Sequence, residues 1–248
     1  MLHKTDGIVI RTQDYGETHK LVTIFTKKIG KITAISRGAN RPRSRLTAVS
    51  QLFIEGDFLL YVPKGLATLR QGDVLESFRN IRQDLSRTAY AVYIVELTDK
   101  LIEEKEPDPF IYEQLKLTLE WINRKDEYAI PVMMYELKLF KKGGFAPVID
   151  RCVNCQSVQK PFVFSIKEGG SLCPRCIAMD EHAIQLDPIL FKILSICLHI
   201  GLDRVGNINV KDKNILLLRM IIDQYYDRFG GFYLKSKKFL KQLDELDS

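Results

Sequence analysis

The sequence predicts an α+β multidomain protein. A small N-terminal β-barrel spans residues 1–80, and an all-α domain spans 81–248 and carries a four-cysteine insert at 150–180. Three observations carry this reading. Short β-branched runs broken by Gly and Pro fill the first 80 residues, and the hydrophobic period turns helical from about residue 82. The surplus of positive charge lies wholly before that change. Four of the cysteines fall as two Cys-x-x-Cys pairs.

The strands come first. Ile8-Val9-Ile10, Leu21–Thr26 and Ile32–Ile35 are β-branched runs, as is Phe58–Val62; Ala67-Thr68-Leu69 with Val74-Leu75 is weaker. Gly16, Gly30, Gly56, Pro63-Lys64-Gly65 and Gly72-Asp73 read as the turns between them. About five such strands suit a small closed barrel of the OB or SH3-like kind, because closure leaves no exposed sheet edge. Residues 36–52 interrupt the pattern. Four arginines, Arg37, Arg41, Arg43 and Arg45, fall within nine positions with no acid among them. Gly38 and Pro42 argue against a helix there, so an exposed loop is expected, free to be mobile without its ligand.

The helices follow. Ala89, Val92, Tyr93, Glu96/Leu97 and Leu101 share one face, and Pro107 and Pro109 close that helix and open the next. Phe110, Leu115, Leu119 and Ile122 recur along the second. Ile130, Met133, Met134, Leu137 and Phe140 form the clearest helical stripe, with Pro131 in its first turn and Gly143-Gly144 at its end. After the cysteine insert, Asp187-Pro188 opens a helix carrying Ile189, Leu190, Ile193, Leu194, Cys197 and Ile200. A last stripe, Ile215, Leu218, Ile222, Tyr225, Tyr226 and Phe229, ends at Gly230-Gly231, and a charged tail runs from Lys235 to Ser248. These stripes read as core-facing surface, Cys197 among them as a small buried hydrophobe.

Composition bounds the function. Of 248 residues, 46% are hydrophobic and 27% charged, which excludes a disordered or collagen-like chain. Five cysteines are too few for a disulfide-held scaffold. The formal net charge is +6, and residues 1–80, with 13 Lys+Arg against 7 Asp+Glu, hold all of it. Residues 81–248 carry 24 of each. A basic block on a neutral body suits a polyanion partner, nucleic acid before membrane. The start of the chain lacks the apolar segment of a signal peptide, and no apolar run approaches the roughly 18–20 residues that span a bilayer. A cytoplasmic protein with reduced thiols is expected.

Cys152 and Cys155 are followed, after 17 residues, by Cys173 and Cys176. This is the spacing of a four-cysteine zinc site, in which each Cys-x-x-Cys turn aims two sulfurs at one point. Phe162–Ile166 and Gly169-Gly170 supply a strand and a turn for the intervening hairpin. Arg151 and Arg175 can offset part of the charge of a tetrathiolate centre. Four protein ligands close the coordination shell, so one structural Zn2+ per chain is expected and no water is activated.

Catalytic constellations are missing. Of His3, His19, His182 and His199, none lies in a metal-binding helical pair. Gly30-Lys31 lacks the leading Gly and the Ser/Thr of a phosphate-binding loop, and no G-x-S-x-G or G-x-G-x-x-G occurs. Glu103-Glu104-Lys105-Glu106 resembles a metal-nuclease cluster, yet it stands before Pro107 and reads as a solvated helix end. The expectation is a protein that is not an enzyme. The ribbon alone suits an RNA- or transcription-associated module equally well.

Asp6–Arg11 with Asp14-Tyr15-Gly16-Glu17, Ser36–Ala39 through Arg41–Leu46, Gln71-Gly72-Asp73, Gly143-Gly144-Phe145-Ala146-Pro147 and the four-cysteine insert follow one another in a set order. In that order and spacing the chain resembles, over nearly its full length, the RecO family of bacterial DNA repair and recombination mediators. Some relatives lack the cysteines, so metal is not essential to the family's activity. The resemblance implies an OB-fold domain, a helical domain with a zinc insert, and a cytoplasmic place at the bacterial nucleoid. It implies binding of single- and double-stranded DNA and annealing of complementary strands. It also implies partnership with RecR and with the acidic C-terminal tail of single-stranded DNA-binding protein (SSB), for loading RecA onto coated strands after DNA damage. On such a barrel Arg37, Arg41, Arg43 and Arg45 are the expected phosphate clamp, and Lys20, Lys27, Lys28 and Lys31 extend it. Tyr15, Phe53 and Tyr61 are candidate stacking rings.

Overall fold

The computed structural model describes residues 1–159 and 162–246. Lys160 and Pro161 of the expected insert, and Asp247 and Ser248 of the expected tail, lie outside the described residues. The chain forms two compact units: Met1–Asp126 together with the segment from Leu234 onward, and Glu127–Tyr233.

The first unit begins with strands β1 (Leu2–Tyr15), β2 (His19–Thr26) and β3 (Gly30–Ser36), an antiparallel meander. A four-residue helix α1 (Leu46–Val49) precedes β4 (Glu55–Tyr61) and β5 (Ala67–Glu76). The five strands close into a barrel in the order β1-β2-β3-β5-β4, with β4 pairing back onto β1. β3 and β5 run parallel, but only over Ala34–Ser36 against Ala67–Leu69. Val9, Val22, Ile24, Ile32, Ala34, Phe58, Leu60 and Leu69 fill the interior. This is the expected OB-like barrel, and β5 is one continuous strand rather than two weak runs.

Two expected turns are strand interiors instead. Gly56 lies within β4 and Gly72 within β5. Both flank the Phe58 ring, which is fully buried. A Cβ on Gly56 would sit 2.9 Å from Phe58 Cζ, and one on Gly72 would sit 3.1 Å from its Cδ1. Gly7, paired with Gly56, leaves room on the third side. The glycines are there for close approach to a ring, not for a bend.

A short 3-10 turn, Arg79–Gln83, leads to α2 (Leu85–Leu101) and then α3 (Pro109–Arg124). Asp84 caps α2 by accepting from Arg87 N at 2.8 Å, and Asp108 caps α3 by accepting from Ile111 N at 3.0 Å. Pro109 fills the first turn, where no amide partner is needed. α2 is buried more widely than the expected stripe: Ala91, Ile94, Val95 and Thr98 are also inside, while Val92 and Leu101 are half-buried. Phe110 departs from its stripe and is 52% exposed, because the helix turns Ile111 and Tyr112 inward instead. The charged tail is a helix, α7 (Lys235–Leu246), packed on α2. Glu96 of α2 receives Ser236 N at 2.9 Å, Lys235 N at 3.3 Å and the Ser236 hydroxyl.

The second unit holds α4 (Ala129–Lys142), the hairpin β6 (Val163–Ser165) and β7 (Gly170–Leu172), α5 (Pro188–His199) and α6 (Asp212–Phe229). α4 is buried from Ile130 to Phe140, including Glu136 and Lys138. Glu136 accepts two hydrogen bonds from Arg219, at 2.7 and 2.9 Å, and Asp223 shares that guanidinium at 2.9 Å. A buried carboxylate is tolerated only with such a partner. Among the described residues Lys138 Nζ reaches only carbonyls, Met134 O at 3.3 Å and Cys197 O at 3.2 Å, and burial pushes its pKa down to about 8. Asp187 caps α5 through Leu190 N at 2.8 Å. Ile189 faces out, 64% exposed, while Cys197 is inside, where burial raises its thiol to about 12.

Candidate functional site

The four cysteines converge. Their sulfurs lie within 4.8 Å of one another, and Cys155 Sγ is 3.6 Å from Cys173 Sγ. Tetrahedral thiolates at about 2.3 Å from a zinc ion stand roughly 3.8 Å apart. Local backbone makes this convergence. The first knuckle turns on Gln156 N donating to Cys152 O at 3.0 Å, and the second on Cys176 N donating to Cys173 O at 2.9 Å. Cys173 directly follows β7, and Val153 N donates to Ser171 O of that strand at 2.9 Å, which joins the knuckles through the hairpin. Cys152, Phe162, Val163, Leu172, Cys173 and Cys176 make a small core of their own.

Electrostatics in the cluster ask for a cation. Burial alone would raise the Cys152 thiol, but amides of Cys155, Cys173 and Asn154 aim at it and bring it to about 6. Cys176 moves the other way, to about 11. Asn154 donates to its sulfur at 3.4 Å, but burial and the three neighbouring thiols outweigh that bond. Four like charges cannot coexist at this spacing unaided. The donor set and its spacing therefore fit a divalent, thiophilic metal. Among the described residues no other group of three His, Cys, Asp or Glu gathers this way, and Glu103, Glu104 and Glu106 stay apart and exposed.

The barrel sorts the eight cationic candidates into two places. Arg37, Arg41, Arg43 and Arg45 are all exposed in the β3–α1 loop, and none is paired with a carboxylate among the described residues. The loop that presents them is tied down. Gly38 N donates to His19 Nδ1 at 2.9 Å, Asn40 N to Thr18 O at 3.0 Å, and Thr47 Oγ1 to Ala39 O at 2.6 Å. Its buried Ala39 anchors the turn, and the arginines project from it together with Asn40 and Pro42. Lys20 adjoins them, since it pairs with Ser36 at the end of β3.

Lys27, Lys28 and Lys31 stand at the opposite end of β2 and β3. Lys20 and Lys27 are separated by seven residues of strand, about 23 Å. Lys31 is buried, its ammonium on the Asp99 backbone carbonyl and 3.3 Å from the Asp99 carboxylate. Lys27 is paired with Glu113. Only Lys28 of the three is exposed without an acid partner among the described residues. Tyr15 and Tyr61 are exposed rings, 48% and 41%, whereas Phe53 is buried at a left-handed φ of 68°.

Arg70 escaped the sequence reading. Ser36 of β3 pairs with Leu69 of β5, so Arg70 follows immediately at the arginine end of the barrel. Its guanidinium lies 5.7 Å from the Tyr61 ring centroid. The signal was available: Ala67 and Leu69 point inward, so Arg70 must point out.

A closed OB-like barrel with an arginine-rich end, followed by a helical region bearing a four-thiol ribbon, defines the class: an OB-fold protein with a zinc-ribbon-type insert. The comparisons give the family. The family model described as Recombination protein O N terminal matches residues 1–78, and that described as Recombination protein O C terminal matches residues 82–238. The DNA repair protein RecO of Oceanobacillus iheyensis is 53% identical over 244 residues, covering 98% of this chain and 95% of that protein. The DNA repair protein RecO of Halalkalibacterium halodurans is 44% identical over 246 residues, covering 99% and 97%. That of Bacillus cereus is 42% identical over 245 residues, covering 99% of each. The chain belongs to the RecO family and has a role in DNA repair and recombination. No helix among the described residues is long and apolar enough to cross a membrane.

Proposed function

We propose that this chain is a non-enzymatic DNA mediator. It binds single- and double-stranded DNA, anneals complementary strands and, with RecR, helps load RecA onto strands coated by SSB. The observation that carries this reading is the set of four unpaired arginines on a tethered loop at one end of an OB-like barrel. Arg70 and Lys20, the latter 3.6 Å from the exposed Asp14 carboxylate, stand beside that set, and Tyr15 and Tyr61 offer rings for bases there. Annealing needs no covalent step. Cations that screen two phosphate backbones, while most base edges stay free, are sufficient, and the contacts these cations make to phosphate are independent of sequence. The functional boundary is placed near residue 80, where the charge surplus ends. The near-neutral remainder serves protein partners, RecR and the acidic SSB tail.

Cys152, Cys155, Cys173 and Cys176 would hold one Zn2+ per chain. Bound there, the metal supplies cross-linking of two knuckles and no Lewis-acid chemistry, because all four positions are protein sulfurs. The protein works in the bacterial cytoplasm, at the nucleoid. The test is annealing of complementary oligonucleotides titrated with salt, with and without SSB. Acceleration that fades as salt rises and persists on SSB-coated strands is expected. No acceleration at any salt overturns the reading.

A further inference from the structure

We propose that the cleft between β3 and the β4–β5 loop is a subsite for a single guanine base, selected by Glu104. This rests on the nucleic-acid reading above and adds a ligand to it. The cleft has a volume of about 320 Å³ and is lined by Ile32, Thr33, Val62, Lys64, Leu66 and Glu104, among others. That volume is at the small end of ligand sites, roughly 300–1,000 Å³. Val62 and Leu66 give it an aliphatic side for the flat face of a base, and Thr33, Lys64, Glu104 and Lys105 make the rest of the lining polar. Lys64 stands exposed at the rim, with no carboxylate partner among the described residues, where a phosphate would lie.

Glu104 is built into this place rather than hanging near it. β5 covers β3 only over Ala34–Ser36, so the stretch from Gly30 to Thr33 has a free edge. Residues 104–106 occupy that edge. Lys31 and Glu104 form a parallel bridge, and Lys105 N donates to Lys31 O at 3.0 Å. Gly30 permits the approach, since a Cβ there would stand 2.4 Å from Glu106 O. Lys105 adopts a left-handed φ of 63° to make the turn. The Glu104 carboxylate is then 3.4 Å from the Thr33 hydroxyl, inside the cleft lining.

The selectivity follows from hydrogen-bond chemistry. An ionised carboxylate only accepts, through two oxygens side by side. Guanine alone among the DNA bases presents two adjacent donors on its pairing edge, N1–H and the N2 amino group. Adenine and cytosine set one amino group beside an acceptor nitrogen, which a carboxylate repels. Thymine flanks its single N–H with two carbonyls. Single-strand binders commonly read splayed bases on this edge.

A guanine within a strand and a free guanine nucleotide share the chemistry, and the test separates them. Fluorescence anisotropy of the full chain would compare thymidine oligomers carrying one central guanine, hypoxanthine, adenine or cytosine. Hypoxanthine lacks the N2 amino group. Guanine is expected to bind about tenfold tighter than adenine or cytosine, with hypoxanthine between. Glu104→Gln is expected to abolish that ranking. Competition by GMP but not AMP marks the free nucleotide as a ligand, and a guanine preference without GMP competition marks the strand. Equal binding of all four oligomers overturns the guanine site, while salt-dependent strand binding in the same titration leaves the DNA reading standing. If no oligomer binds, the DNA reading fails and amide shifts at Lys64–Leu66 on adding GMP decide the site alone. Their absence overturns it.

Discussion

Replacing Arg37, Arg41, Arg43 and Arg45 together by Ala changes how strand affinity depends on salt, and the size of the change follows from the barrel. Six cations gather at its arginine end: these four, Lys20 and Arg70. Each phosphate contact to a single strand contributes about −0.7 to the slope of log affinity against log salt. Six contacts give a slope near −4.2, or about a 300-fold loss of affinity between roughly 50 and 200 mM salt. The two cations left in the variant give about −1.4, or about sevenfold. The loop is held by backbone and by Thr47, not by the arginine side chains, so the variant keeps the barrel's melting behaviour. Anisotropy with a labelled thymidine oligomer measures both slopes. Lys28→Ala, at the far end of the strands, is the control and moves the slope by less than one contact. A fourfold variant whose slope stays near −4 refutes the assignment of phosphate contacts to this end.

Three further outcomes are expected. Gly56→Val puts a Cβ 2.8 Å from Asp73 O and 2.9 Å from the Phe58 ring, and costs about 2 kcal/mol or more by chemical denaturation; an unchanged midpoint contradicts that packing. Lys138→Met stabilises the protein at pH 7 by on the order of 2 kcal/mol, because the folded-state pKa of about 8 lies below the 10.5 of the free side chain. Below about pH 8 the buried ammonium carries its full penalty; the penalty shrinks as pH rises from about 8 toward 10.5, where the unfolded chain binds the extra proton. The gain in Tm from the variant should therefore be smaller at pH 10 than at pH 7, and a variant less stable at pH 7 contradicts the sign. Cys152→Ser lowers the zinc content measured by elemental analysis from one per chain toward none, with faster amide exchange across residues 150–180 and an unaltered barrel. Protein prepared under reducing conditions that holds no zinc before mutation refutes the site.

The features legible in the sequence were those fixed by local spacing. Two Cys-x-x-Cys turns specify convergence on their own, because each knuckle is closed by its own backbone bonds. Pro109, and Pro188 with its preceding Asp187, announced helix starts for the same reason. Features decided by distant partners were not legible. Lys31 looks like Lys28 in the sequence, yet Asp99, 68 positions on, takes it out of solvent. Gly56 and Gly72 looked like turns because a glycine in a strand and a glycine in a bend differ only in what lies across from them, here Phe58. Arg70 stands alone on its strand in the sequence, and only the parallel register of β5 on β3 carries it to the arginine end. Phe110 was placed on an inward stripe that the helix shifts by one residue.

The return of α7 to the first unit also sets an order of events during synthesis. Glu96 waits for the amides of Lys235 and Ser236, which emerge 139 and 140 residues later. Everything from Glu127 to Tyr233, ribbon included, leaves the ribosome before α2 is covered. The second unit can therefore finish folding while the first still lacks its final helix. A chain stopped before Leu234 would not be a shortened protein but one with the packed face of α2 laid open.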